Sequence, residues 1–172
     1  KKAWIRFAVL LILAVLFLSF ALFAGVLAPF DPLESHYTDM LKAPHSTYIF
    51  GTDQLGRDLF SSILYGGKSS LLIAFTVPAI ISSVGILVGT IAGFTGGIFD
   101  NLLMRFSDML MAFPGYIFTI ALVSFIGVGL PNMILAMSLT GWTYYARISR
   151  SLVLSVKNNV YIEQARLGGA SN

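Results

Sequence analysis

Two histidines, His36 and His45, share a segment with Asp31, Glu34, Asp39 and Met40, side chains that can ligate a metal. A metal centre needs its ligands at spacings that fix a coordination geometry, and a nine-residue interval between two histidines fixes none. These side chains read as solvated loop residues. Gly66-Gly67-Lys68-Ser69 has the ending of a phosphate-binding loop, but the pattern needs glycine where Ser62 stands. The run also leads into apolar sequence rather than out of a strand. There is no Ser/His/Asp arrangement, no paired carboxylate within an apolar run and no H-E-x-x-H. The absence of cysteine removes disulfides and thiolate metal sites. No catalytic residue, metal or cofactor is expected, and the chain does not read as an enzyme.

The remaining polar stretches suit recognition of other proteins. In Tyr161 to Asn172, Glu163 and Arg166 solvate one side of a short helix, while Tyr161, Ala165 and the glycines leave the other side low enough for close approach. Gly168-Gly169 ends that helix, because glycine tolerates the left-handed conformation of a helix terminus. Ser171 or Asn172 is placed to cap a following one. The other stretch, Pro29 to Lys68, carries five acids and three bases. Pro29, Pro32 and Pro44 predict an irregular start. Thr52 or Asp53 then begins a short amphipathic helix near 56–65, with Leu59/Ile63 and Phe60/Leu64 at i, i+4 and Gly66-Gly67 as its stop. Such a helix lies on a membrane surface.

The elements that hold these stretches are membrane spans. The chain is 56% hydrophobic and only 11% charged, where a soluble domain has about 25% charged residues. Its net charge of +3 comes from Lys and Arg scattered at the ends of apolar runs, which excludes a clustered basic surface for nucleic acid. No charge occurs between Arg6 and Asp31, more than the ~20 residues that cross a bilayer, so 7–29 is a first span. The run is too long for a signal-peptide core of about 7–15 residues. Lys1, Lys2 and Arg6 place the N-terminus in the cytoplasm, which puts 30–68 outside. A second span covers 69–95, with Pro78 tolerated in lipid. Gly85, Gly89, Gly93 and Gly97 recur every four residues as a smooth ridge for helix packing.

Asp100, Arg105 and Asp108 mark the return inside, with Arg105 and Asp108 spaced to pair. The uncharged run from Met109 to Ala146 exceeds one helix and breaks at Gly127 to Asn132. That gives spans at 102–126, bent at Pro114-Gly115, and 132–151. Trp142, Tyr144, Tyr145, Arg147 and Arg150 form an inner-interface anchor. Four spans return 157–172 to the cytoplasm. No internal repeat suggests an inverted-repeat transporter, and no span carries the charge ring or filter of a channel.

Phe50-Gly51-Thr52-Asp53-Gln54-Leu55-Gly56-Arg57-Asp58-Leu59-Phe60-Ser61, followed by Tyr65-Gly66 and Ser69-Ser70-Leu71, closely resembles the F-G-T-D-x-x-G-R-D-x-F-S signature of the dipeptide/oligopeptide/nickel family of ABC importer permeases. Glu163-Gln164-Ala165 with Gly169 resembles that family's cytoplasmic E-A-A loop, with Gln164 in place of an alanine. Met104-Arg105-x-x-Asp108 with Phe113-Pro114, and Trp142-x-x-Tyr145-Ala146-Arg147, are similar to further family blocks in the same order.

The resemblance implies an all-α, polytopic bundle of the type I importer kind, specifically the second, C-type permease, in a bacterial or archaeal inner membrane. It implies a heterodimer with a similar permease, two cytoplasmic ATPase subunits that carry ATP hydrolysis, and an extracytoplasmic substrate-binding protein. Glu163, Gln164, Ala165, Arg166 and Gly169 would contact the ATPase. Gly51, Asp53, Gly56, Arg57 and Asp58 would form the outside signature loop, as a network that shapes it in preference to contacts with the binding protein. Family members have further spans after the E-A-A loop, so C-terminal spans are expected to be lacking here. The implied cargo is small peptides or nickel and other metal chelates. Met104 to Pro114 leans toward the nickel branch, although its methionines read as core packing. The alternative is a non-transporting membrane scaffold that recruits a cytoplasmic partner, which gives no reason for the outside loop.

Overall fold

The computed structural model describes residues 2–169, without the side chains of Ala165 and Arg166. The described residues form helices α1 (Lys2–Leu22), α2 (Ala24–Leu27), α3 (Leu59–Thr95), α4 (Gly97–Ala112), α5 (Gly115–Ile126), α6 (Leu130–Lys157) and α7 (Val160–Leu167), with a short 3₁₀ turn at Tyr37–Asp39. The only extended pairing among them is a bridge between Thr52 and Asp58. The expected all-α membrane fold is borne out. The chain divides into two compact units, Lys1–Ile73 and Ala74–Asn172.

In the first unit, α1 has 21 residues and so extends about 32 Å, matching a hydrocarbon core of about 30 Å. Its side chains are almost all exposed, as suits lipid, and only Ala21 is buried. Ser19 donates its hydroxyl to the Val15 carbonyl at 2.7 Å, which satisfies that hydroxyl within the apolar helix. Small residues join α1 and α2 to the start of α3. A Cβ on Gly67 would lie 3.5 Å from that of Ala21, and one on Gly25 would lie 3.8 Å from the Tyr65 hydroxyl.

That packing corrects the expectation of a separate surface helix ending at Gly66-Gly67. Neither glycine takes a positive φ, and the chain continues through both as one 37-residue helix. Gly67 serves the contact with Ala21 instead of a stop. Nor do Thr52 or Asp53 begin the helix. It starts at Leu59, capped by Asp58, whose Oδ2 accepts the Ser61 amide at 2.8 Å.

In the second unit, α6 is the central strut, touching α4 and α5 and the later turns of α3. Gly85, Gly89 and Gly93 sit against α6. A Cβ at Gly85 would meet the Trp142 carbonyl at 2.5 Å, one at Gly89 would collide with the Ala146 carbonyl, and one at Gly93 would meet Val153 Cβ at 3.0 Å. Gly141 returns the contact from α6, against Ile81. Gly97 departs from the expected ridge: with φ +67 and open space around it, it starts α4 after the break at Gly96. Thr90 and Ser149 join their hydroxyls at 2.9 Å across the α3–α6 contact.

The helix pair α4 and α5 bends by 85° at Phe113-Pro114. Proline excludes the α-conformation at the residue before it, and Phe113 is accordingly extended. Gly127, at φ 112, ends α5, and its carbonyl accepts Asn132 Nδ2 at 3.0 Å. The Arg105–Asp108 pair expected along one helix is replaced by bonds between helices: Asp108 pairs with Arg147, and Asp100 with Arg150. Among the described residues α1 and α3 qualify as membrane spans by length and apolarity, with a third if α4 and α5 form one bent crossing, and the expected fourth span at 132–151, on α6, does not qualify. α6 is 28 residues long but carries Arg147, Arg150 and Lys157 in its later turns.

Candidate functional site

The segment 51–59 folds into a small hairpin. Leu59 donates its amide to the Gly51 carbonyl at 3.1 Å, Asp53 donates to Arg57 at 3.0 Å, and Gly56 donates to Asp53 at 3.1 Å. The Asp53 side chain holds the turn, its Oδ1 accepting the amides of Leu55 at 2.8 Å and Arg57 at 2.9 Å. Donation from the Arg57 amide above all, and also from that of Leu55, keeps the Asp53 carboxyl below its ordinary range against some desolvation. Gly56 turns at φ +73 directly under His36, whose carbonyl a Cβ would strike. Gly51, at φ +77, is equally tight against the Lys42 carbonyl. Both positions therefore require glycine on two counts, conformation and space.

A second strip of chain closes on this hairpin. Thr52 donates its amide to Lys42 at 3.1 Å, and Leu41 donates to Asp53 at 3.1 Å. Thr52 Oγ1 accepts the Lys42 amide at 2.9 Å and donates to the Asp39 carbonyl. Asp39 is clasped by Lys42 Nζ at 2.6 Å and by the Tyr48 hydroxyl at 2.8 Å. Those two bonds, Lys42's the larger, hold the Asp39 carboxyl below its ordinary range. The same bond to Asp39, with burial, pushes the Tyr48 hydroxyl up. Arg57 reaches back with Nε to Ser35 Oγ at 3.2 Å.

At the base of the hairpin, Asp58 is 2% exposed and Ser61 is fully buried. Asp58 Oδ2 also accepts the Ser61 hydroxyl at 2.6 Å, and Ser61 Oγ accepts the Phe30 amide at 3.2 Å. The entry and exit of the loop are thereby tied to the first turn of α3.

Gly51, Asp53, Gly56, Arg57 and Asp58 thus meet in one loop. Four further residues complete it: Tyr48 and Ser35, which the sequence reading missed, Asp39, which it took as a solvated loop residue, and Ser61, which it quoted in the signature without a role. The sequence reading did not take Asp58 as the cap, although its place directly before the Leu59/Ile63 repeat was a signal for it. Asp39 and Lys42 at i, i+3 were a weaker signal. His36 lies 3.9 Å from Glu34, and His45 Nδ1 lies 3.0 Å from the Ala43 carbonyl. Among the described residues no group of three His, Cys, Asp or Glu side chains could hold a metal.

The second candidate region is α7. Asn158 and Asn159 donate their amides to Leu154 and Val156 at 3.2 and 3.0 Å, closing α6, and the Asn159 carbonyl accepts the amide of Ile162 at 3.0 Å. Glu163 and Gln164 are exposed. Gly168 donates to Gln164 at 3.0 Å, and Gly169 ends the stretch at φ +94 with open space around it. The side chains of Ala165 and Arg166, and the capping positions Ser171 and Asn172, lie outside the described residues.

Residues 85–172, from the glycine ridge through α7, match the family described as "Binding-protein-dependent transport system inner membrane component". The chain belongs to this family. It is 36% identical over 172 residues to the nickel transport system permease protein NikC of Escherichia coli (strain K12), covering 100% of this chain and 62% of that one. It is 36% identical over 160 residues to the probable D,D-dipeptide transport system permease protein DdpC of the same strain, covering 93% and 54%. To the oligopeptide transport system permease protein OppC of Bacillus subtilis (strain 168) it is 35% identical, covering 99% and 58%. The chain spans between 54% and 62% of the length of these relatives. The resemblance expected from the hairpin and the E-A-A stretch is borne out at family level, and with it a multi-pass inner-membrane setting.

Proposed function

We propose that this chain is a permease subunit of an ATP-driven importer that carries small peptides or a nickel or other metal chelate. The observation that carries the reading is the match to permeases along nearly the whole chain, a stretch that includes both the hairpin at 51–59 and α7. Its relatives are named for D,D-dipeptide, oligopeptide and nickel transport. The partners in this reading are a second, similar permease, two cytoplasmic ATPases and an extracytoplasmic binding protein.

In this reading, the N-terminus and α7 are cytoplasmic, the loop 30–58 and the first turns of α3 are outside, and the passes fall at 7–29, 69–95, 102–126 and 132–151. The signature loop is shaped by its own network, the role of Asp53, Arg57 and Asp58 being structural in preference to contact with the binding protein. Glu163, Gln164, Ala165, Arg166 and Gly169 meet the ATPase. Closure of the ATPase pair moves α7, and the close-packed helices follow as rigid bodies. ATP hydrolysis takes place on the partner chains.

Uptake of radiolabelled nickel and of a labelled dipeptide, in cells carrying the whole operon with and without this subunit, tests the proposal. Subunit-dependent uptake of either cargo is the expected result. Loss of neither, together with failure to copurify an ATPase pair, would leave a scaffold as the better account. Single cysteines at Lys2, Gln54 and Gln164, introduced among residues 1–172, which hold no cysteine of their own, report sidedness.

A further inference from the structure

Lys157 is the last residue of α6 and Phe94 lies in the last turn of α3. Lys157 Nζ donates to the Phe94 carbonyl at 2.8 Å and stands 5.8 Å from the centre of the Phe94 ring. Carbonyls in a last helical turn have no partner within the helix and carry the negative end of its dipole, which favours a cation. One ammonium group thus satisfies an orphan acceptor, the helix dipole and an aromatic face at a single point.

The point is also a junction. Only Asn158 and Asn159 separate Lys157 from α7. Phe94, Leu152, Val153, Val156 and Lys157 line an apolar groove of about 320 Å³ that Ile162 of α7 joins. The other described side chains of α7 are exposed. Nothing else described holds the helix against its own chain, so its direction depends on the Asn turn and on Ile162, and the turn starts from the end of α6 that Lys157 fastens to α3.

We propose that Lys157 is a positioning residue that, by bonding the end of α3, fixes the direction in which α7 leaves α6. Through it, movement of α7 is transmitted to two helices at once, α6 by the chain and α3 by the bond. This rests on the reading of α7 as the contact with an ATPase, but the geometric claim can be tested apart from it.

The experiment uses the assembled complex with spin labels at Gln164→Cys and at Phe99→Cys, on the adjoining helix α4. The inter-label distance distribution is recorded for the native residue, Lys157→Met and Lys157→Arg, and substrate-stimulated ATP hydrolysis is measured on the same three complexes with Gln164 and Phe99 native and unlabelled. Lys157→Met should broaden the distribution and lower stimulation about tenfold, the scale of one lost bond to a charged group. Lys157→Arg should restore both. An unchanged distribution in Lys157→Met overturns the inference. If the distribution broadens but the native complex shows no substrate-stimulated hydrolysis, the positioning role stands and the importer reading fails.

Discussion

Arg150 grips Asp100 with two parallel hydrogen bonds, Nε to Oδ1 at 2.5 Å and Nη2 to Oδ2 at 2.7 Å. The Asp100 side chain is 7% exposed, so its charge depends on this fork. Removing one member of a buried pair strands the other and costs about 3–5 kcal/mol, whereas replacing both with neutral groups is often tolerated. Arg150→Met should therefore destabilise the second unit strongly, and Arg150→Met with Asp100→Asn should recover most of the loss. Unfolding of the purified complex, followed by steric trapping or thermal aggregation, measures the three variants. Equal losses in single and double variants would show that the pair is not coupled.

The glycines differ sharply in what they tolerate. A Cβ at Gly89 would run into the backbone of Ala146, and backbone cannot move aside as a flexible side chain can. Gly89→Ala should force α3 and α6 apart and cost about 2 kcal/mol or more. Gly66 lies within α3 with nothing within 4 Å of its would-be Cβ and no positive φ. There, alanine should be neutral or stabilise by about 0.5–1 kcal/mol. Parallel melting curves of the two variants check the contrast.

Much of this was legible beforehand because apolar length and charge placement decide where helices run in a membrane. The first apolar run, the bend at Pro114 and the glycine contact at Gly85 to Gly93 all follow from single-residue chemistry. What was not legible depends on partners distant in sequence. Gly66-Gly67 reads as a stop until Ala21 is seen beside it. Gly97 continues the four-residue repeat but sits past a break that only Gly96 and its conformation reveal. Asp108 has Arg105 at helical spacing, yet Arg147, on another helix, takes it. In the loop, Asp53 reads as a helix start until its carboxylate is seen accepting the Leu55 and Arg57 amides, and Tyr48 reaching Asp39 leaves no pattern at all.

Asp58 caps α3 and, through Ser61, fastens Phe30. Asp58→Ala should lose a helix cap worth about 0.5–2 kcal/mol and release both ends of the loop. Asp58→Asn keeps an acceptor oxygen and should be much milder. Limited proteolysis between residues 30 and 58 distinguishes them: rapid cleavage in the alanine variant and near-native resistance in the asparagine variant are expected.

Gly169 turns at φ +94 in open space, so a bulky residue there strains the backbone without striking the rest of the chain. Gly169→Trp should insert normally into the membrane but abolish substrate-stimulated ATP hydrolysis, because α7 would end differently and present added bulk to its partner. Unchanged stimulation would sink the assignment of this stretch to the ATPase contact.

The loop should loosen at both ends of the pH scale, for opposite reasons. Asp39 and Asp53 have carboxyl groups held below the ordinary value of 3.8. A lowered folded-state value means that their stabilisation is fully present above about 3.8 and drains away as pH falls through the lowered values. Tyr48 is raised above 10.0, so its contribution is complete below 10.0 and is lost as pH climbs through the raised value. Hydrogen exchange of the amides at 39–58, corrected for intrinsic rates, should therefore show level protection between about pH 5 and 9 and a fall on either side. Tyr48→Phe should remove the alkaline fall while the acid one, carried also by Asp53, persists. An alkaline fall that survives in Tyr48→Phe would assign it to some other group.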